Sequence, residues 1–215
     1  MLYDLATARI IAETLQSYFK PGVAMPPLIC DPVYVSTSGH TLLHQDAIAF
    51  MITHLFPMAA LITPNKAEAE FLLAQKGISQ KIATLDDMLI AAERLLLLIK
   101  NDAVLLKGGH VTATMHDVIM ISKQNPDIQI EKYGLYGENM EILLGKNQGY
   151  RDSILAVDIL HQVSGEKTLF VRPRINSSST HGTGCTLSSA IACEIALGCE
   201  RMYDIIEYQL SFPPF

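Results

Sequence analysis

Three short apolar runs in this 215-residue chain end on the same kind of punctuation, and that pattern constrains the fold most. "LIC" at 28–30 runs into Asp31-Pro32, "AALIT" at 59–63 into Pro64-Asn65, and "AVLLK" at 103–107 into Gly108-Gly109. Runs this short and this uniformly apolar read as strands buried on both faces. Segments of helical period separate them. Leu5, Ala8, Ile11, Ala12, Leu15 and Phe19 mark an amphipathic helix over 4–19, a second helix is expected over 45–54, and a third starts near Lys66. Thr84 with Asp87 resembles a capping box opening "LDDMLIAAERLLLLIK". Strands alternating with helices predict an α/β fold, a mostly parallel sheet with helices on both faces. Functional groups in such sheets gather at the carboxyl ends of the strands, where Asp31, Asn65 and Lys107 fall.

The stretch from about 112 to 154 has scattered glycine, asparagine and charge without a firm period, and reads as a surface insertion. After it, "LAVDILHQV" and "TLFVRPRI" flank "SGEK", a hairpin signal. No repeat or second domain shows, so residues 1–215 read as a single domain. Apolar residues make up 49% of the chain and charged ones 18%, which is globular. A net charge of −6 argues against a nucleic-acid partner. The most hydrophobic window, 47–63, is split by His54 and Pro57 into pieces too short to span a bilayer. Four cysteines without CxxC or metal-like spacing suggest reduced thiols. A soluble, cytoplasmic protein without a membrane partner is expected, and a homo-oligomer stays open. Cys30, Cys193 and Cys199 read as core or near-core residues.

The candidate chemistry centres on "SSSTHGTGCTLSSAIA", 177–192. There Gly182-Thr183-Gly184-Cys185 leads into a helix expected over roughly 186–198. The first amides of a helix lack internal partners and lie in positive potential, and glycines let a phosphate oxygen approach them. The same field is expected to lower the Cys185 thiol into roughly the 3.5–7.5 range, so that a thiolate could take a proton from an attacking hydroxyl. Taken in isolation, the motif reads rather as a glycine turn beside a buried cysteine. Asn65 and Glu68 form a capping-box pattern, and Glu68 could also face hydrated Mg²⁺ through water. Lys107 fits a phosphate contact or a solvated lysine before a turn. Asp31 fits a loop-opening residue or an acid near metal and phosphates, with Val33 on a pocket wall. His181 reads as bracing its loop.

Taken together, "DPVYVSTSG", "LITPNKAEAEFLL", "VLLKGGH" and "STHGTGCTLSSAIA", in that order, resemble the hydroxymethylpyrimidine and hydroxymethylpyrimidine-phosphate kinases of thiamine biosynthesis, in the ribokinase-like superfamily. The likeness covers about residues 1–200 outside the insertion, and the insertion with "TLFVRPRI" is similar to fungal members. The resemblance implies MgATP-dependent phosphorylation of the 5-hydroxymethyl group of the aminopyrimidine, then of its monophosphate. It implies Cys185 as catalytic base and the amides of Gly182, Thr183 and Gly184 as an anion hole. Lys107 would lie on the ATP phosphates, and Asn65 and Glu68 would organise Mg²⁺ and phosphate. Asp31 would stand near the metal, and Val33 against the pyrimidine.

Two family segments have no counterpart: the glycine-rich G-x-D-x-x-G-G-A-G type segment of the first βα unit, and the G-H-G-P-[LI]-N-H tail. The expectation is therefore a domain lacking the family's first strands and last helix. It would carry the nucleotide half of the machinery and depend on a partner or further segment for a complete pocket. Pyridoxine or pyridoxal kinase is one alternative, and a non-catalytic nucleotide-binding fragment is another.

Overall fold

The computed structural model describes residues 4–18, 26–34, 43–132, 154–174, 182–199 and 204–206. Each expected apolar run supplies a strand: β1 Ile29–Cys30, β2 Leu61–Ile62 and β3 Ala103–Leu106. They pair in parallel in that order. The hairpin follows as β5 Leu155–Gln162 and β6 Lys167–Pro173, with Gly165 in its turn at φ 93°. Strand β5 runs antiparallel to both β3 and β6. A further strand, β4 Gln129–Lys132, pairs in parallel with β6 and closes the far edge. The sheet order is β1-β2-β3-β5-β6-β4, so all strands except β5 point the same way.

Six α-helices have their bounds within these residues, α1 Leu5–Tyr18, α2 Gln45–Phe50, α3 Lys66–Gln75, α4 Leu85–Ile99, α5 Met115–Gln124 and α6 Thr183–Ala196, and residues 204–206 are also helical. Because successive strand side chains point to opposite faces, the core divides in two. Ile62, Val104, Leu106, Val157, Ile159, Leu169 and Val171 pack with residues of α1–α5 on one face. Leu61, Ala103, Leu105, Leu160 and Phe170 pack on the other with Ile191 of α6 and with Ile205 and Ile206. Helix α4 buries Leu85, Met88, Ala91, Ala92, Leu95, Leu96 and Ile99, a stripe at three- and four-residue spacing. Its Thr84–Asp87 capping box forms as the sequence suggests.

Several expectations change. The helix foreseen over 45–54 is α-helical only to Phe50; a π-turn at Met51–Leu55 and a 3₁₀ turn at Phe56–Met58 follow. Thr53 bends the first, its hydroxyl donating to the Ala49 carbonyl at 2.9 Å, and Pro57 sits in the opening positions of the second, where its missing N–H costs nothing. Helix α6 starts at Thr183 rather than 186, which puts Gly184 and Cys185 inside its first turn.

The expectation of a surface insertion over 112–154 is corrected for its first half. Helix α5, opened by a Thr114–Asp117 capping box, buries Met115, Val118 and Ile121, and β4 extends the sheet. Residues 133–153 of that stretch lie outside the described residues. Cys193 and Cys199 are exposed rather than near-core, because α6 sits on the sheet through Ser188 and Ile191. Cys30 is partly buried as expected. Among the described residues, no helix is long and apolar enough to cross a membrane.

Candidate active site

The exits of β1, β2 and β3 lie side by side, so the residues just past each strand meet. Asp31 follows β1, Thr63 and Asn65 follow β2, and Lys107 follows β3. An isolated parallel bridge joins Asn65 to Lys107, and the Lys107 N–H donates to the Pro64 carbonyl at 2.8 Å. Lys107 Nζ lies 2.9 Å from Asp31 Oδ1. The first turn of α6 closes over this group: a Cβ added to Gly184 would stand 2.7 Å from Lys107 Nζ.

Two residues that the sequence reading passed over tie α6 to the strand exits. The Thr63 hydroxyl contacts Asp31 Oδ1 at 3.1 Å and Ser188 Oγ at 2.8 Å, and Ser188 Oγ contacts the Gly184 carbonyl at 3.0 Å. Two hydroxyl protons serve three contacts, so one contact always lacks a proton. Thr63 was recognisable as the polar end of an apolar run. Ser188 was recognisable as the residue one helical turn beyond Cys185.

The opening of α3 follows the capping-box reading: Glu68 N–H donates to Asn65 Oδ1 at 3.0 Å, and Asn65 N–H to Glu68 Oε2 at 2.7 Å. Glu68 is only 5% exposed. Burial pushes its carboxyl up to about 7, against the opposing pull of the Asn65 N–H and the Lys107 ammonium.

Helix α6 differs from α3, α4 and α5 in having no side-chain cap. Its N-cap is Gly182, at φ 80°, a left-handed conformation that favours glycine. The first bond of its ladder runs from Thr186 N–H to the Gly182 carbonyl, so the Gly184 and Cys185 amides precede that ladder. Gly182 and Thr183 are exposed at the rim, Val33 is half-buried two residues beyond Asp31, and His181 lies outside the described residues.

The expected acidification of Cys185 is corrected. Its thiol is held above the ordinary range, first by desolvation and then by the neighbouring Asp31 carboxylate, while the Lys107 ammonium pulls the other way. Helix position alone predicts the reverse; desolvation first, and then the adjacent carboxylate, outweigh it, and neither is visible in the local sequence.

For a cofactor, the arrangement offers a half-buried ammonium group, a glycine-lined approach and amides at a helix start, the chemistry of a phosphate site. For a metal, Asp31 Oδ2 is buried and has no hydrogen-bond partner among the described residues. Among the described residues, no group of three or more His, Cys, Asp and Glu is placed to hold an ion directly. Any cation bound at Asp31 and Glu68 must therefore keep water or phosphate ligands, which suits Mg²⁺.

The chain is similar in sequence and fold to known proteins. The sequence model of the phosphomethylpyrimidine kinase family matches residues 1–136 and 127–204. A hydroxymethylpyrimidine/phosphomethylpyrimidine kinase of Saccharomyces cerevisiae is 29% identical over 208 residues, 95% of this chain and 31% of the relative. A protein of the same name from Synechococcus elongatus is 33% identical over 200 residues, 93% of this chain and 56% of the relative. The crystal structure of a phosphomethylpyrimidine kinase from Clostridium difficile superposes with a TM-score of 0.61 at 29% identity, covering 97% of this chain and 63% of that one. An ADP complex of Bacillus subtilis pyridoxal kinase superposes with a TM-score of 0.63 at 23% identity, covering 97% and 58%, a likeness of fold alone. This chain thus spans about a third to two-thirds of these relatives' lengths. With the family's sequence model matching residues 1–136 and 127–204 of the chain, and the strand exits converging on one helix start, the chain belongs to the phosphomethylpyrimidine kinase family.

Proposed function

We propose that the chain catalyses MgATP-dependent phosphorylation of 4-amino-5-hydroxymethyl-2-methylpyrimidine and of its monophosphate. The observation that carries this reading is the convergence of Asp31, Lys107, Gly184 and Cys185, from three separate elements, on one small volume at the sheet's carboxyl end.

In this reading, Lys107 leaves Asp31 and takes the phosphates of ATP, while the amides of Gly182, Thr183 and Gly184 receive the negative charge on the transferring group. Asn65 holds the start of α3 so that Glu68 faces the same space. When bound, Mg²⁺ neutralises charge on the phosphate oxygens, and Asp31 and Glu68 would hold it through water. Val33 would line the pyrimidine's side of the site. Cys185 accepts the hydroxyl proton as the substrate oxygen bonds to phosphorus; the bond from phosphorus to the bridging oxygen breaks, and ADP leaves. Once Lys107 and Asp31 engage ligands, the carboxylate's hold on the thiol weakens. That change favours the base form when substrate is present.

The test is direct. The purified chain is incubated with MgATP and the hydroxymethylpyrimidine, with pyridoxine in a parallel reaction, and products are followed by mass spectrometry. The pyrimidine mono- and diphosphates are expected. MgATP should also raise the melting temperature, since ligand bound to the native state stabilises it. Phosphorylation of pyridoxine alone, or no thermal shift with MgATP, would overturn the proposal.

A further inference from the structure

Directly after Lys107 the chain leaves the sheet, and the two peptides that flank Lys107 are held from opposite sides. The Lys107 N–H donates towards β2, to the Pro64 carbonyl at 2.8 Å. The next amide, Gly108 N–H, donates the opposite way, to Asp158 Oδ1 on β5 at 2.7 Å. Gly108 lies so near β5 that an added Cβ would come within 1.9 Å of the Val157 carbonyl oxygen. Asp158 is 1% exposed, and its other oxygen is ion-paired with Arg172 on β6. The mechanism above uses neither Asp158 nor Arg172.

We infer that Asp158, held by Arg172, is a positioning residue for Lys107: its carboxylate fixes the Gly108 amide and thereby aims the ammonium group at the space before α6. The inference rests on the reading of Lys107 as the phosphate-binding cation. A carboxylate accepting a backbone N–H makes a shorter, stronger bond than a neutral acceptor. Paired to Arg172 on its second oxygen, it cannot swing away. Lys107 carries its charge on a long, flexible stem, so its aim depends on where its backbone is pinned. A displacement of about an ångström at a reacting site can cost as much as a hundredfold in rate.

The test has two arms. In the first, lysines of the ligand-free chain are ¹³C-methylated and the Lys107 signal is assigned with Lys107→Arg. Asp158→Asn, an isostere that keeps an oxygen for Gly108, should shift that signal, and so should Arg172→Gln should Asp158→Asn fail to fold. In the second, KM for ATP should rise about tenfold in Asp158→Asn while KM for the pyrimidine stays unchanged, and in a Lys107→Ala background the same substitution should change ATP affinity less than about twofold. An unmoved Lys107 signal, or equal losses in both backgrounds, would overturn the positioning role and leave Asp158 as a purely structural group. Should the wild-type chain bind no MgATP, the functional reading falls, and the ligand-free signal alone still decides the role of Asp158.

Discussion

Lys107 Nζ stands 2.9 Å from Asp31 Oδ1, and both side chains are only 13% exposed, so the cation assigned to the phosphates is held by an internal anion in the ligand-free chain. Removing one member of such a pair strands the other in a poor environment. Lys107→Met should lower unfolding stability by about 3 kcal/mol, because the Asp31 carboxylate then loses its cation and, among the described residues, already has one oxygen without a hydrogen-bond partner. Asp31→Asn should cost less, since the long lysine stem can carry its charge to water. Urea unfolding of the two variants checks the order. Equal losses would contradict the asymmetry.

Glu68 sets a pH dependence. Its carboxyl titrates at about 7 in the folded chain against 4.5 as the ordinary value, because burial disfavours the charge. Between those values the folded chain keeps a proton that the unfolded chain has released. Its contribution is therefore full below the unfolded value and fades as pH rises towards 7, by an amount on the order of 3 kcal/mol across the window. In metal-free buffer, wild-type stability should fall from pH 5 to 7.5, and Glu68→Gln should flatten the profile. A cation favours the ionised form, so Mg²⁺-dependent ATP binding should tighten over the same window. Urea midpoints and calorimetric titrations at several pH values measure both.

The strand exits were legible because Pro, Gly and Asn interrupt apolar runs there, and the order of elements then places Asp31, Asn65 and Lys107 together. What joins them was not legible. Thr63 and Ser188 meet only because α6 packs against the sheet beside the exits of β1 and β2, a contact between residues far apart in sequence. Asp158 looked like one more position in a hairpin, and nothing local says that its carboxylate receives the Gly108 amide. Strand β4 was missed because an edge strand reading "QIEK" has no buried alternation to announce it. Helix α5 carried a usable signal, the Thr114–Asp117 capping box, masked by the polar residues around it.

Cys185 tests the balance of charge at the site. Its thiol is kept protonated above the usual range by desolvation and by Asp31, with Lys107 opposing. Iodoacetamide should therefore modify Cys185 slowly at neutral pH despite its exposure. Asp31→Asn should speed the reaction and Lys107→Met should slow it; peptide mass spectrometry follows the site. In the proposed reaction, Cys185→Ala should reduce kcat by roughly 10²–10⁴, the usual reach of a general base. Rapid alkylation unaffected by Asp31→Asn would show that the carboxylate does not govern the thiol.

The two glycines beside Lys107 should fail in different ways when given a methyl group. At Gly184 the new Cβ would meet only the lysine's far end, at 2.7 Å from Nζ, and a flexible side chain can move. Alanine also suits a helix better than glycine, by roughly 1 kcal/mol. Gly184→Ala should therefore keep or raise the melting temperature, yet push Lys107 off Asp31 and weaken ATP binding about tenfold, the scale of one misplaced contact. At Gly108 the Cβ would stand 1.9 Å from the Val157 carbonyl oxygen, and backbone cannot give way so easily. Gly108→Ala should force β3 and β5 apart and lose about 3 kcal/mol or more of stability, in the upper range for overpacking. Thermal unfolding and ATP titration of both variants separate the outcomes. A stable Gly108→Ala chain, or a Gly184→Ala chain that binds ATP normally, would mean that the close approach of β3 to β5, or of α6 to Lys107, is not what this structure gives.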